Sequence, residues 1–157
     1  MHRLPHVRLG ALTTVAVTGA VAIGAAFAAP AAAAAVKTAC SSVTITTKGV
    51  GTLKKCTNPT GTGGSGKLVV NTKKSPYPAT FTWNKTGTTK ASLTYGSAPK
   101  GAPKVCPTGT IEIDVKGSVT GGTGAAIKSI PKGAKVSAKL CYKGTSLTLA
   151  PKTTFNL

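Results

Sequence analysis

Between Thr110 and Cys141 the chain alternates apolar and polar residues in two runs, a pattern that suits a strand with one buried face. In the first run Ile111, Ile113 and Val115 share one face, against Thr110, Glu112, Asp114 and Lys116. In the second, Ala134, Val136, Ala138 and Leu140 oppose Lys135, Ser137, Lys139 and Cys141. A period of two places successive side chains on opposite faces of a sheet. The runs flank the glycine-rich GGTG at 121–124, and a cysteine stands at each outer end, Cys106 and Cys141. If these cysteines face each other across an antiparallel hairpin, the turn falls within GGTG. The same register sets Glu112 opposite Lys135, an opposite-charge cross-strand pair that contributes roughly 0.2–1 kcal/mol. Pro131 offers no N–H to a ladder, and Ile127 and Ile130 differ in parity, so a bulge or a longer loop is expected before the second strand.

The rest of the chain repeats the theme. Val43 and Ile45 alternate with threonines in 42–48, and 49–56 can return beside that run. A short strand is expected over 67–72. Ala79, Phe81 and Trp83 share a face, as do Thr89, Ala91, Leu93 and Tyr95. Residues 57–66, 73–78 and 96–104 are rich in Gly, Pro, Ser and Thr and read as loops. SLTLAP and KTTFNL close the chain. No segment carries a helical period. Seven to nine short strands with turns at close intervals define an all-β class. The expected architecture is a two-sheet antiparallel sandwich of Greek-key or immunoglobulin-like type, with a small β-barrel as second choice.

The first 35 residues differ in kind. Arg3 and Arg8 precede an uncharged run from Leu9 to Ala35 that ends in small residues. A basic start, an apolar middle and small residues before a cleavage point describe a secretory signal peptide. The expected division is therefore a cleaved signal over 1–35 and one all-β domain over 36–157, secreted and without a transmembrane segment after cleavage. Lipidation of Cys40 is disfavoured, because Lys37 interrupts the apolar approach and one of four cysteines would lose its partner. Four cysteines in an exported chain predict two disulfides. Of the three possible pairings, Cys40–Cys56 with Cys106–Cys141 agrees best with the strand pattern.

Cleavage removes both histidines and both arginines and takes the net charge from +18 to +16. All eighteen lysines remain, against only Glu112 and Asp114. Without histidine there is no Ser–His–Asp or Cys–His catalytic site and no common zinc set. A serine–lysine pair stays open because both residues are plentiful, but no spacing selects one. The chain is expected to be non-enzymatic, with no cofactor and no metal. The charge predicts attraction to polyanions. Sequence-specific nucleic-acid recognition is disfavoured, since base readout leans on the arginine fork. An exported chain meets anionic cell-wall polymers, and these are the expected partners. The competing account is that the lysines keep strand edges from pairing and the protein soluble. The sequence sets no oligomeric state.

Few residues stand out as sites. Glu112 and Asp114 sit two apart on one face, roughly 6.5–7 Å between Cα atoms. They stand side by side rather than across a cleft, which favours ion pairing over glycosidase chemistry. Tyr77, Trp83, Tyr95 and Tyr142 offer a stacking platform, but a core of this size needs most of its aromatics. Tyr77, between prolines, is the one expected to be exposed. The segment 97–107 presents Lys100 and Lys104 among prolines beside Cys106, which supports the alternative of a secreted protease inhibitor or toxin-like effector. Asn84-Lys85-Thr86 forms a glycosylation triplet, and 57–66 lacks the complete phosphate-binding glycine pattern.

Overall fold

Every strand from the second to the eighth pairs with the strand before it, and the eighth returns to the first. The structure, a computed structural model, describes residues 37–58 and 64–157; the expected signal segment, 1–35, lies outside them. The elements run β1 (Ala39–Thr46), β2 (Val50–Cys56), β3 (Gly64–Val70), β4 (Tyr77–Trp83), β5 (Gly87–Ser97), β6 (Ile111–Thr123), α1 (Ala126–Ser129), β7 (Lys135–Lys143), β8 (Ser146–Leu149) and β9 (Phe155–Asn156). All pairings are antiparallel. Closure comes from Thr44, Ile45 and Thr46 of β1 facing Thr148, Leu147 and Ser146 of β8. The fold is an eight-stranded up-and-down barrel with an extra short strand.

That extra strand covers a gap. β8 is only four residues long, so beyond it β1 and β7 have no neighbour on that side. β9 takes the place, pairing Phe155 with Cys40, and Asn156 with both Ala39 and Ser137. The Leu157 N–H then donates to the Thr38 carbonyl at 2.9 Å.

The barrel replaces the expected sandwich, and the reason lies in the connections. A Greek key needs a strand to cross over to a distant partner, but most links here are short turns that return each strand beside its predecessor. Sandwich and barrel impose the same inward–outward alternation, so the pattern of side chains does not separate them. Closure requires coiling, which bulges supply. The register shifts between Leu53 and Cys56 on β2, where Lys55 takes φ 52°, and again opposite Lys90 and Ala91 of β5.

The β6–β7 hairpin forms, but six residues out of the expected register. Glu112, not Cys106, stands opposite Cys141, and Lys135 faces Ser118. Gly121 and Gly122 do not turn; they continue β6 in extended pairing with Lys90 and Thr89 of β5. The chain reverses later, through α1 and Pro131, and the parity conflict of Ile127 and Ile130 is resolved by this helical turn. Ala126 and Ile130 are fully buried, so the short helix closes one end of the barrel.

Inward residues fill the interior at that end and at mid-barrel. Phe81 lies 6.0 Å from Trp83 in a stacked pair and 5.8 Å from Phe155 in a tilted one. The buried Trp83 Nε1–H donates to Thr89 Oγ1 at 2.9 Å, satisfying the indole. Gly66 is the cross-strand partner of Trp83, and a Cβ there would meet ring atom Cε3 at 2.8 Å. Both expected disulfides are present, Cys40–Cys56 and Cys106–Cys141. They close loops of sixteen and thirty-five residues, each contributing roughly 3–4 kcal/mol in the chain-entropy account. Two such bonds fit an oxidising, extracellular environment. Among the described residues no helix is long and apolar enough to cross a membrane.

Candidate functional site

Closure divides the molecule into three surfaces that bear on function: the lysine-bearing exterior, the loop before β6, and the end of the barrel opposite α1.

On the exterior, outward positions of the strands carry mostly lysine, threonine and serine, with Val50 paired to Val69 and Ile111 as exposed apolar exceptions. Seventeen of the eighteen lysines are exposed; the remaining one, Lys139, is half-buried. Lys139 holds both acidic residues at once, with Nζ 2.8 Å from Glu112 Oε1 and 3.0 Å from Asp114 Oδ1. The expected Glu112–Lys135 pair is thus corrected. The six-residue displacement moves Lys135 away and makes Lys139 the direct cross-strand partner of Asp114, within reach of Glu112. The Glu112 side chain is only 7 % exposed, and its other oxygen accepts the Val105 N–H at 2.9 Å. The hydrogen bond from Lys139 and then that from Val105 hold the Glu112 carboxyl below the usual carboxylate range. Hydrogen bonds to the two carboxylates hold the Lys139 ammonium above its ordinary value. Both negative charges are therefore spent within one structural contact on the β6–β7 side.

Across the barrel the exterior of β2, β3 and β4 has no such neutralisation. A shallow depression of about 480 Å³ is lined there by Lys54, Lys67 and Lys85, with Thr52, Thr82 and Asn84 between them. No carboxylate lines it.

The loop before β6 is tied down at its C-terminal side by the Cys106–Cys141 bond and by the Val105–Glu112 hydrogen bond. Lys100 and Lys104 are both exposed on it. Lys100 lies in a turn closed by the Ala102 N–H to the Pro99 carbonyl at 3.0 Å, whereas Lys104 lies outside any turn or strand. The loop covers a concavity of about 750 Å³ that reaches Glu112.

Opposite α1, the barrel ends in an open cup of about 360 Å³. Its wall includes Tyr77, Tyr95 and Tyr142, every tyrosine of the protein. Tyr77 is half-buried rather than exposed, a correction that follows from its place as the first residue of β4, on the inward parity of Ala79 and Phe81. Its ring lies 5.0 Å from that of Tyr95. Burial, with Tyr77 adding to it, pushes the Tyr95 phenol up to about 12. The four aromatics weighed as one platform are split: Trp83 is sealed into the far end of β4 while the tyrosines meet at the cup. The signal for this grouping was present in parity, since each tyrosine is two residues from an inward residue: Ala79, Leu93 or Leu140. What was missing was the ring of strands that brings three separate ends together.

Among the described residues no group of three or more His, Cys, Asp or Glu is placed to hold a metal ion. No protein-family model, curated protein or solved structure matches this chain significantly.

Proposed function

We propose that this is a secreted, non-enzymatic binding protein that attaches to anionic polymers of the cell envelope through the β2–β4 face. One observation carries the reading: a closed barrel carries seventeen exposed lysines while its only two acids are engaged by the eighteenth. Edge protection accounts for lysines on an open sheet, but closure leaves few edges to guard. Solubility is met by far less charge, about 2–8 for a small domain. Lys54, Lys67 and Lys85, gathered without an acid, supply point charges suited to successive phosphate or carboxylate groups. Lysine serves such contacts without base-like specificity.

The test is co-sedimentation of the oxidised protein with isolated cell envelopes, and retention on inorganic polyphosphate, across a salt series. Retention is expected to fall steeply with salt, as counterion release requires. Neutralising Lys54, Lys67 and Lys85 to Gln is expected to flatten the log–log salt slope by roughly one for each phosphate no longer engaged. Neutralising Lys100, Lys104 and Lys143 instead is expected to change it less. No retention at low salt overturns the reading. Salt-insensitive retention also overturns it, and directs attention to the 97–107 loop as a protein-binding surface.

A further inference from the structure

We infer that the open end of the barrel is a binding cup for a small amphiphilic anion: an apolar body of about a dozen heavy atoms carrying one anionic head group.

The size follows from the cavity. A volume of about 360 Å³ corresponds to roughly a dozen liquid-water volumes, near the lower end of the range of small-molecule sites. It suits a ten-carbon chain or a single substituted ring. The apolar body follows from the wall. Ile45 and Val70 are buried in it, and Ile113, Leu147 and the paired rings of Tyr77 and Tyr95 are half-buried around it. Eight strands close an interior that either fills with side chains or keeps room for one small ligand. In this barrel one end is sealed by α1 and the other keeps the space. The phenols, with the hydroxyls of Thr46, Thr47 and Thr72, add hydrogen-bond donors to a largely apolar wall.

The charge of the head group follows from the rim. No acidic residue lines the cup. Two of the connections at this end carry exposed lysine next to lining residues: Lys48 lies between Thr47 and Gly49 in the β1–β2 turn, and Lys73 and Lys74 follow Thr72 between β3 and β4. A largely apolar cup with cations on two of its flanking turns and no acid in its wall favours an anionic amphiphile over a neutral one and disfavours a cationic one. The cup opens at one end of the strands, whereas Lys54 and Lys67 lie on the side of the barrel and Lys85 in the β4–β5 turn at the other end, so the two sites are separable.

The test titrates the oxidised protein with decanoate, decanol and decyltrimethylammonium, followed by NMR of the tyrosine rings and by calorimetry. Decanoate is expected to bind one-to-one and saturably, with shifts confined to Tyr77, Tyr95, Tyr142 and their neighbours. Decanol should bind more weakly, and decyltrimethylammonium should not bind. Ile113→Trp, which fills the cup, is expected to abolish binding. The double change Lys48→Glu and Lys73→Glu, confined to exposed side chains, is expected to weaken decanoate by about tenfold. Both sets should retain the salt-sensitive envelope attachment, so failure here is distinguishable from failure of that reading. Unsaturable decanoate binding with shifts spread over the exterior overturns the site. Undiminished decanoate binding by Ile113→Trp overturns it equally. Equal binding of decanol or of the cationic amphiphile overturns the assigned head group.

Discussion

At the scale of single residues, charge is decided by Glu112. Its side chain is the more buried of the two acids and accepts hydrogen bonds from both Lys139 and the Val105 backbone. A carboxyl whose folded value is depressed contributes stability above its unfolded value, and the contribution is lost as pH falls through the folded one. Glu112 is shifted in that direction, so thermal stability should decline as pH falls through and below the ordinary carboxylate range. Glu112→Gln should lower the melting temperature at neutral pH and make the acid decline shallower, so that the two curves converge. Melting curves between neutral and acid pH check this; parallel curves would count against it. The displaced register that created this contact was not readable from the residues. Parity was right, because alternation fixes which face a side chain takes, and both Lys135 and Lys139 satisfy it. Alternation does not say by how many steps of two the strands slide; the count was set by placing Cys106 opposite Cys141, but Cys106 lies before β6, outside the ladder, and the run through Gly121 and Gly122 stays extended.

At the scale of elements, most strands were legible and the short ones that complete the barrel were less so. Runs such as 79–84 and 134–141 announce themselves through alternation. β9 has two residues and no period to read, yet Phe155 is fully buried, packed against Phe81, and paired with Cys40. Its importance comes from where β8 stops, a fact of topology. Phe155→Ala should therefore cost about 3–5 kcal/mol, the range for removing a buried aromatic side chain. Equilibrium urea unfolding of the oxidised protein measures it; a loss below about 1 kcal/mol, the scale of ordinary surface changes, would mean that β9 merely lies on the barrel. α1 escaped detection for a related reason. Four residues give too few turns for a helical period, and the parity conflict between its Ile127 and the following Ile130 was the trace it left in the sequence.

At the scale of the whole molecule, the closed barrel turns composition into a field. With the acids occupied on the β6–β7 side, seventeen exposed lysines repel one another around a cylinder whose edges need no guarding. Such self-repulsion destabilises the compact state and is screened by salt. The free protein should therefore melt at higher temperature as sodium chloride is raised from low to moderate concentration, even though the Lys139 contact is itself weakened. A bound polyanion changes the sign of the dependence. At low salt, polyphosphate at a hundred times its dissociation constant should stabilise the fold by about 2.7 kcal/mol through mass action. Adding salt then removes more stabilisation by releasing the polymer than it returns by screening the lysines. Melting temperature plotted against salt should accordingly rise for the protein alone and fall for the polyphosphate complex, the two lines meeting once the polymer is released. A rising line in both cases would mean that polyphosphate acts only as bulk ionic strength, and the lysine face would then be a source of repulsion without a partner.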